Sequence, residues 1–186
     1  MVVLAILLGI VLGIGSAAFV VFFPPFRPVI RNGSWMTNLK VGSRDAGMYL
    51  RAFIALTGLF ALNKRETIYY RATTDDQGQP IRADRDYVIS GVDIPGRWWA
   101  IIVYGRDHHL IANPAGRYSF NMGNLDRETD GSFRIALSRT PKDRNWLPSG
   151  MKDQTLSFSL KIYNPAAEVY ERPDRIALPR ITAVRA

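Results

Sequence analysis

His108 and His109 are the only histidines in the chain, so any acid–base or zinc chemistry that needs an imidazole runs through one dipeptide. Adjacent residues on a strand point to opposite faces, so the two rings cannot readily close on one ion. The chain has no cysteine and no HExxH spacing, so a zinc site would need carboxylates brought from elsewhere. The expectation is no bound metal, no cofactor, and a surface turn at Arg106-Asp107. Ser119, His109 and Asp107 supply the residue types of a nucleophilic triad, but no GxSxG supports a nucleophile. Asp126, Glu128, Asp130 and Gly131 resemble the first half of a calcium loop. The twelfth position, where a bidentate Glu belongs, is Leu137, so a hairpin tip accounts for the run better. Asp75, Asp76 and Gly78 read as another turn. No catalytic residue is assigned.

A second set is aromatic: Trp98, Trp99, Trp146, Tyr104, Tyr118 and Tyr163. Such side chains at the edge of a β-domain can stack on sugars or other flat ligands, and the same residues fill β-sandwich cores. Trp98, Tyr118, Asn145 and Trp146 are the candidate ligand-binding residues. Asn145, in the NWLP loop, can either bind its own backbone or present its amide to a ligand. Trp146 can plug the end of the domain or line a site. Apolar Leu147 and stiffening Pro148 favour the plug.

These residues have to be carried by strands. ETIYYRATT (66–74), DYVIS (86–90), RWWAIIVY (97–104), RYSFNM (117–122), SFRIALS (132–138) and LSFSLKIY (156–163) are rich in β-branched and aromatic residues and are separated by turn signals. RWWAIIVY is apolar on both faces and reads as a central strand covered on both sides. A short strand is open at 109–112. In LSFSLKIY, Leu156, Phe158, Leu160 and Ile162 share one face. Asn164-Pro165 reads as an N-cap opening a short helical turn. Ahead of the strands, Ser43 is a candidate N-cap. Tyr49, Phe53, Leu56 and Phe60 recur at helical spacing, predicting a helix over 44–62 buried against a sheet. At eleven residues, AFIALTGLFAL is too short to cross a bilayer.

The N-terminal run from Val2 to Phe23 has no charged residue, and Ser16 is its only polar side chain. At about 1.5 Å per residue such a helix covers the roughly 30 Å hydrocarbon core of a bilayer. Pro24 and Pro25 are expected to end it. Gly15 and Ala17 have the spacing of a signal-peptidase site. Against cleavage, no basic residue precedes the run and FVVFF prolongs it, which favours an uncleaved anchor. Gly9 and Gly13 form a GxxxG of the kind that lets helices approach. The organisation expected is a transmembrane anchor at 1–23, a linker and leading strand at 24–42, and a β-domain at 43–186.

All charge therefore sits in the remainder, which carries a net +8. Arg82, Arg85, Arg97, Arg106 and Arg117 alternate with Asp84, Asp86, Asp93 and Asp107 instead of forming a stripe, which argues against a nucleic-acid partner. A basic face on anionic lipid headgroups suits a tethered domain better.

The succession of the Tyr-rich strand, RADRDYVISG, DIPGRWWAIIVYG, NPAGRYSFNM, DGSFRIALS, Asn145-Trp146-Leu147-Pro148 and Lys161-Ile162-Tyr163-Asn164-Pro165 resembles the bacterial domain of unknown function 1214, over roughly residues 33–181. The resemblance implies a mainly β, jelly-roll-like sandwich with one or two helices in a cell-envelope or secreted setting, and it carries over no catalytic residue. The expectation is a single-pass membrane protein whose domain faces the periplasm and binds a carbohydrate or a protein partner without catalysis. The alternative is an enzyme or enzyme subunit acting on envelope carbohydrate or small amphiphiles. Arg27, Arg31 and Lys40 point the other way on sidedness, because positive charge favours the cytoplasmic flank.

Overall fold

The computed structural model describes residues 1–22, 29–56 and 60–184. Helix α1 (Val2–Phe22) is long and apolar enough to cross a membrane. Its one hydroxyl, Ser16 Oγ, donates to Gly13 O at 3.0 Å, so the polar group is satisfied inside the helix. Pro24 and Pro25, expected to end the helix, lie outside the described residues.

Ten strands form two sheets. The first holds β1 (Ile30–Asn32), β2 (Trp35–Thr37), β3 (Thr67–Ala72), β9 (Ser157–Pro165), β5 (Gly96–Tyr104) and β6 (Ser119–Asn121), in that spatial order and antiparallel throughout. The second holds β10 (Arg180–Ala183), β4 (Tyr87–Gly91), β7 (Phe133–Ser138) and β8 (Trp146–Pro148). The two enclose one core. Ile68 and Tyr70 of β3, Trp99, Ile101 and Val103 of β5, and Phe158, Leu160 and Ile162 of β9 face Tyr87, Ile89, Phe133, Ile135 and Leu137. The Trp99 and Phe133 rings meet with centroids 5.0 Å apart. Fully burying a side chain of this kind stabilises by about 1.5–3 kcal/mol. The chain is thus mainly β with three helices, α1, α2 (Met48–Leu56) and α3 (Ala167–Glu171).

Residues 30–37 form a hairpin that extends the first sheet, with Gly33 at φ +59° in its turn. Trp35 is buried there, and its Nε1 donates to Pro179 O at 2.6 Å. That bond and the Asn32 Nδ2 bond to Ile176 O (2.8 Å) hold the segment leading to β10.

Five expectations need correction. Helix α2 starts at Met48 and has no fully buried residue; Tyr49, Leu56 and Phe60 are 43%, 65% and 95% exposed. The two sheets already close the core, so this segment is left outside it, in contact with α1. Ser43 does not cap it, because its Oγ donates to Lys40 O. Strand β5 is second from the sheet's edge, between β9 and the three-residue β6, and Trp98 on its outer face is exposed, so it is not covered on both sides. Trp146–Pro148 is a strand paired parallel to β7, not a loop. A proline can stand there because β8 lies at the sheet's edge. Asn164, at φ +43°, is still within β9, and Ala166 is the N-cap of α3.

Candidate functional site

Strand alternation dictates what the outer face of the six-stranded sheet carries. With Ile68, Tyr70 and Ala72 turned to the core, Tyr69 and Arg71 of β3 turn outward; with Phe158, Leu160 and Ile162 inward, Ser157, Ser159, Lys161 and Tyr163 turn outward. Register then makes neighbours of them. Lys161 lies between Tyr69 and Ala100, Ser159 between Arg71 and Ile102, and Ser157 opposite Tyr104.

A pocket of about 500 Å³ sits on this face. Its far wall is apolar and comes from outside the sheet: Phe53 of α2, with Phe60 and Leu62. The Tyr69 hydroxyl links wall to floor, accepting from Leu62 N at 3.0 Å and donating to Phe60 O at 3.3 Å. Gly42 fixes the other side of that wall. It has φ +71°, and a Cβ there would lie 2.1 Å from Leu62 O, so only glycine lets the two backbones come this close.

The electrostatics are one-sided. Arg71 and Lys161 are half-buried, and burial holds both below their usual basic ranges. Arg71 makes one long bond, Nη2 to Ser157 Oγ at 3.4 Å. Among the described residues the Lys161 ammonium has no hydrogen-bond or ion-pair partner, and no acid lines the pocket. The residues outside the described set carry no carboxylate side chain either. Burial, with weaker repulsion from neighbouring phenols, raises Tyr104 and Tyr163. His108 stands at the rim with φ +65°, where partial burial and then the Arg71 charge hold its imidazole below the usual range. Two partly desolvated cations beside phenol and serine hydroxyls make an anion-binding floor, and the wall opposite is greasy.

The four sequence candidates are not brought together. Trp98 is on the same outer face, 38% exposed, its ring edge-on to Tyr163 at 5.2 Å. Tyr118 precedes β6 and accepts from Val103 N through its carbonyl. Asn145 is buried at φ +39° and works as a clip between strands: Oδ1 accepts from Asp126 N (2.9 Å), while Nδ2 donates to Asp126 O (2.6 Å) and Arg134 O (3.0 Å). Trp146 is half-buried, with Nε1 donating to Ser138 O at 3.0 Å. The fully buried residue there is Leu147, so the expected plug is Leu147 and not Trp146. The acidic run 126–130 is a hairpin tip, where Asp130 accepts from Ser132 N and Glu128 pairs with Arg144.

A larger cavity, about 600 Å³ beside the β1–β2 turn, is internally satisfied. Asp76 accepts from Ser34 Oγ and pairs with Arg180, and Asp75 accepts from Gln77 N and Gln79 N.

The residues missed from sequence were Arg71, Ser159 and Lys161, while His108 is weighed there for metal binding and read into a surface turn. The outward alternation in β3 and β9 was a signal for all three. His108 does lie in the tight turn after β5, where its N donates to Gly105 O.

The sequence profile described as "Protein of unknown function (DUF1214)" matches residues 66–167, more than half of the chain and the stretch from β3 to the start of α3. The chain belongs to this family. Within the DUF1214 match lie Tyr69, Arg71, Ser159, Lys161 and Tyr163, while Phe53, Phe60 and Leu62 precede it. No curated protein matches the sequence. Among solved structures, the VPA0106 protein from Vibrio parahaemolyticus aligns with a TM-score of 0.64 at 20% identity, over 93% of this chain and 43% of that one. The chain spans less than half the length of that protein, and the likeness shows the fold. A putative uncharacterized protein from Burkholderia cenocepacia aligns over 64% of this chain and 29% of its own, with a TM-score of 0.41 at 16% identity.

Proposed function

We propose that this DUF1214 chain is a membrane-tethered binding domain that holds a small ligand in the pocket over its six-stranded sheet, on the periplasmic side. The observation that carries it is the pairing of an apolar wall with two half-buried cations that have no acidic partner. The volume of about 500 Å³ is in the range of small-molecule sites. Binding is favoured over catalysis because, among the described residues, no acid lines the pocket and no hydrogen bond joins His108 to Ser157 or Ser159, so a nucleophile–base pair is not assembled. A carbohydrate fits less well: the nearest stacking platform, Trp98, packs edge-on against Tyr163, and Asn145 is committed to Asp126 and Arg134.

The test uses full chain in phosphatidylcholine nanodiscs and a neutral diazirine-bearing fatty alcohol, with crosslinks mapped by mass spectrometry. Saturable labelling on the β3, β9 and Phe53–Leu62 peptides is expected, and Ser159→Trp should remove it by filling the pocket. Labelling that is diffuse, or indifferent to Ser159→Trp, would sink the reading. Sidedness is checked separately by protease protection in spheroplasts, where cleavage of the domain from outside is expected.

A further inference from the structure

The pocket has two chemically opposite halves, and a ligand that satisfies both must itself be divided. Arg71 and Lys161 sit two residues out of register across β3 and β9, and so on the same face, with Ser159 directly opposite Arg71. A carboxylate or phosphate oxygen placed among them would find ammonium, guanidinium and hydroxyl donors together. On the facing side Phe53, Phe60 and Leu62 offer no polar side-chain atom. That side is continuous with the membrane element, since Phe53 belongs to α2 and α2 contacts α1. An aqueous anion such as inorganic phosphate would use the floor and leave the wall against water. A neutral lipid would use the wall and leave both cations without a counterion.

We propose that the ligand is a single-chain anionic amphiphile drawn from the bilayer, its acid head on Arg71 and Lys161 and its chain along Phe53, Phe60 and Leu62. This rests on the pocket being the binding site, as argued above, and adds the ligand's charge, shape and source. The head displaces no protein carboxylate, because none lines the floor. Acyl-chain entry from the membrane side leaves the head at the sheet face, where the donors are.

The experiment compares two diazirine probes in the same nanodiscs, a fatty acid and the fatty alcohol of equal length. At equal mole fraction the acid should label the pocket peptides at least tenfold more. Lys161→Gln and Arg71→Gln should each bring acid labelling down to near the alcohol's level and leave alcohol labelling unchanged, which also shows that the variants are folded. Millimolar inorganic phosphate should compete poorly. Equal labelling by acid and alcohol, or acid labelling that survives both Gln variants, overturns the charge assignment while the pocket stands. Loss of acid labelling to phosphate overturns the amphiphile in favour of a free anion. Labelling by neither probe removes the pocket and this proposal with it.

Discussion

Asn145 offers a test of whether the NWLP segment is scaffold or site. Its side chain makes three hydrogen bonds, one from Asp126 N and two to the carbonyls of Asp126 and Arg134, and its backbone is at φ +39°. Each bond is worth a net of about 0.5–1.5 kcal/mol. Placing alanine in the left-handed region costs about 1 kcal/mol more. Asn145→Ala should therefore destabilise by about 3–5 kcal/mol, a large part of a domain stability of about 5–15 kcal/mol. For a domain of this size that lowers the melting temperature by roughly 10 °C, readable from the β-sheet circular dichroism of full chain in nanodiscs. Asn145→Gly separates the two contributions, because glycine removes the backbone strain and keeps the loss of the clip. It should melt above the alanine variant. Asn145→Asp keeps the acceptor for Asp126 N but turns the two donors into an acceptor facing two carbonyls. It should be destabilised near neutral pH and recover in part as pH falls through the carboxylate range, where protonation restores one donor. Melting within about 2 °C of wild type for Asn145→Ala, together with loss of probe labelling, would refute the clip and return Asn145 to the ligand site.

Three other outcomes are expected. Leu147→Ala should cost about 2–5 kcal/mol because Leu147 is fully buried, whereas Trp146→Ala, losing a half-buried ring and one bond to Ser138 O, should cost less in the same melting assay. Lys161→Met should raise the melting temperature at neutral pH while removing acid-probe labelling. The folded-state pKa of Lys161 lies below its ordinary 10.5, so the unfolded chain binds more protons and wild-type stability rises with pH through that window. The advantage of Met should be complete below the lowered pKa and shrink as pH climbs toward 10.5. Full-length protein should stay with the membrane fraction through alkaline and high-salt washes, given 21 uncharged residues in α1. A mature N-terminus at Ala18 by mass spectrometry would refute the uncleaved anchor.

Strands β3, β4, β7 and β9 were legible because each is long enough for its pattern to name the buried face, whereas β5 is apolar on both faces and its pattern named only a strand. Phe158, Leu160 and Ile162 occupy the inward side that their spacing assigns. Strands β1, β2, β8 and β10 have three or four residues each, and at that length only the partner decides. Trp146–Pro148 is a strand because β7 accepts it in parallel register. Helical spacing in 49–60 likewise told which residues align but not against what. Tyr49, Leu56 and Phe60 share a stripe that the closed core has no room for. Arg71 and Lys161 are not singled out by sequence, because local spacing shows only that they lie on the outward side of β3 and β9. That no carboxylate reaches them, and that Phe53, Phe60 and Leu62 come over them, are facts of tertiary position with no trace in local spacing.

The strength of the pocket reading comes from how the rest of the molecule treats its cations. Arg82 pairs with Asp84, Arg127 with Asp93, Arg180 with Asp76, Arg139 with Asp153, Lys142 with Asp86 and Arg144 with Glu128. Most of these are surface pairs that add little stability, and among the described residues every other lysine or arginine without an ion pair is exposed, where water solvates its charge. At Arg71 and Lys161 burial is greater, the need for a counter-charge is correspondingly larger, and no acid lines the pocket. The core does not require either residue, since the inward positions of β3 and β9 are filled by Ile68, Tyr70, Leu160 and Ile162. A methionine at 161 would pack against Tyr69 and Ala100 with no charge to desolvate. Keeping unpaired cations under an apolar wall therefore costs stability that the fold does not recover internally, the pattern expected where the compensating charge arrives with a ligand. An acid head supplies that charge, and a chain beside α2 covers the wall that would otherwise face water.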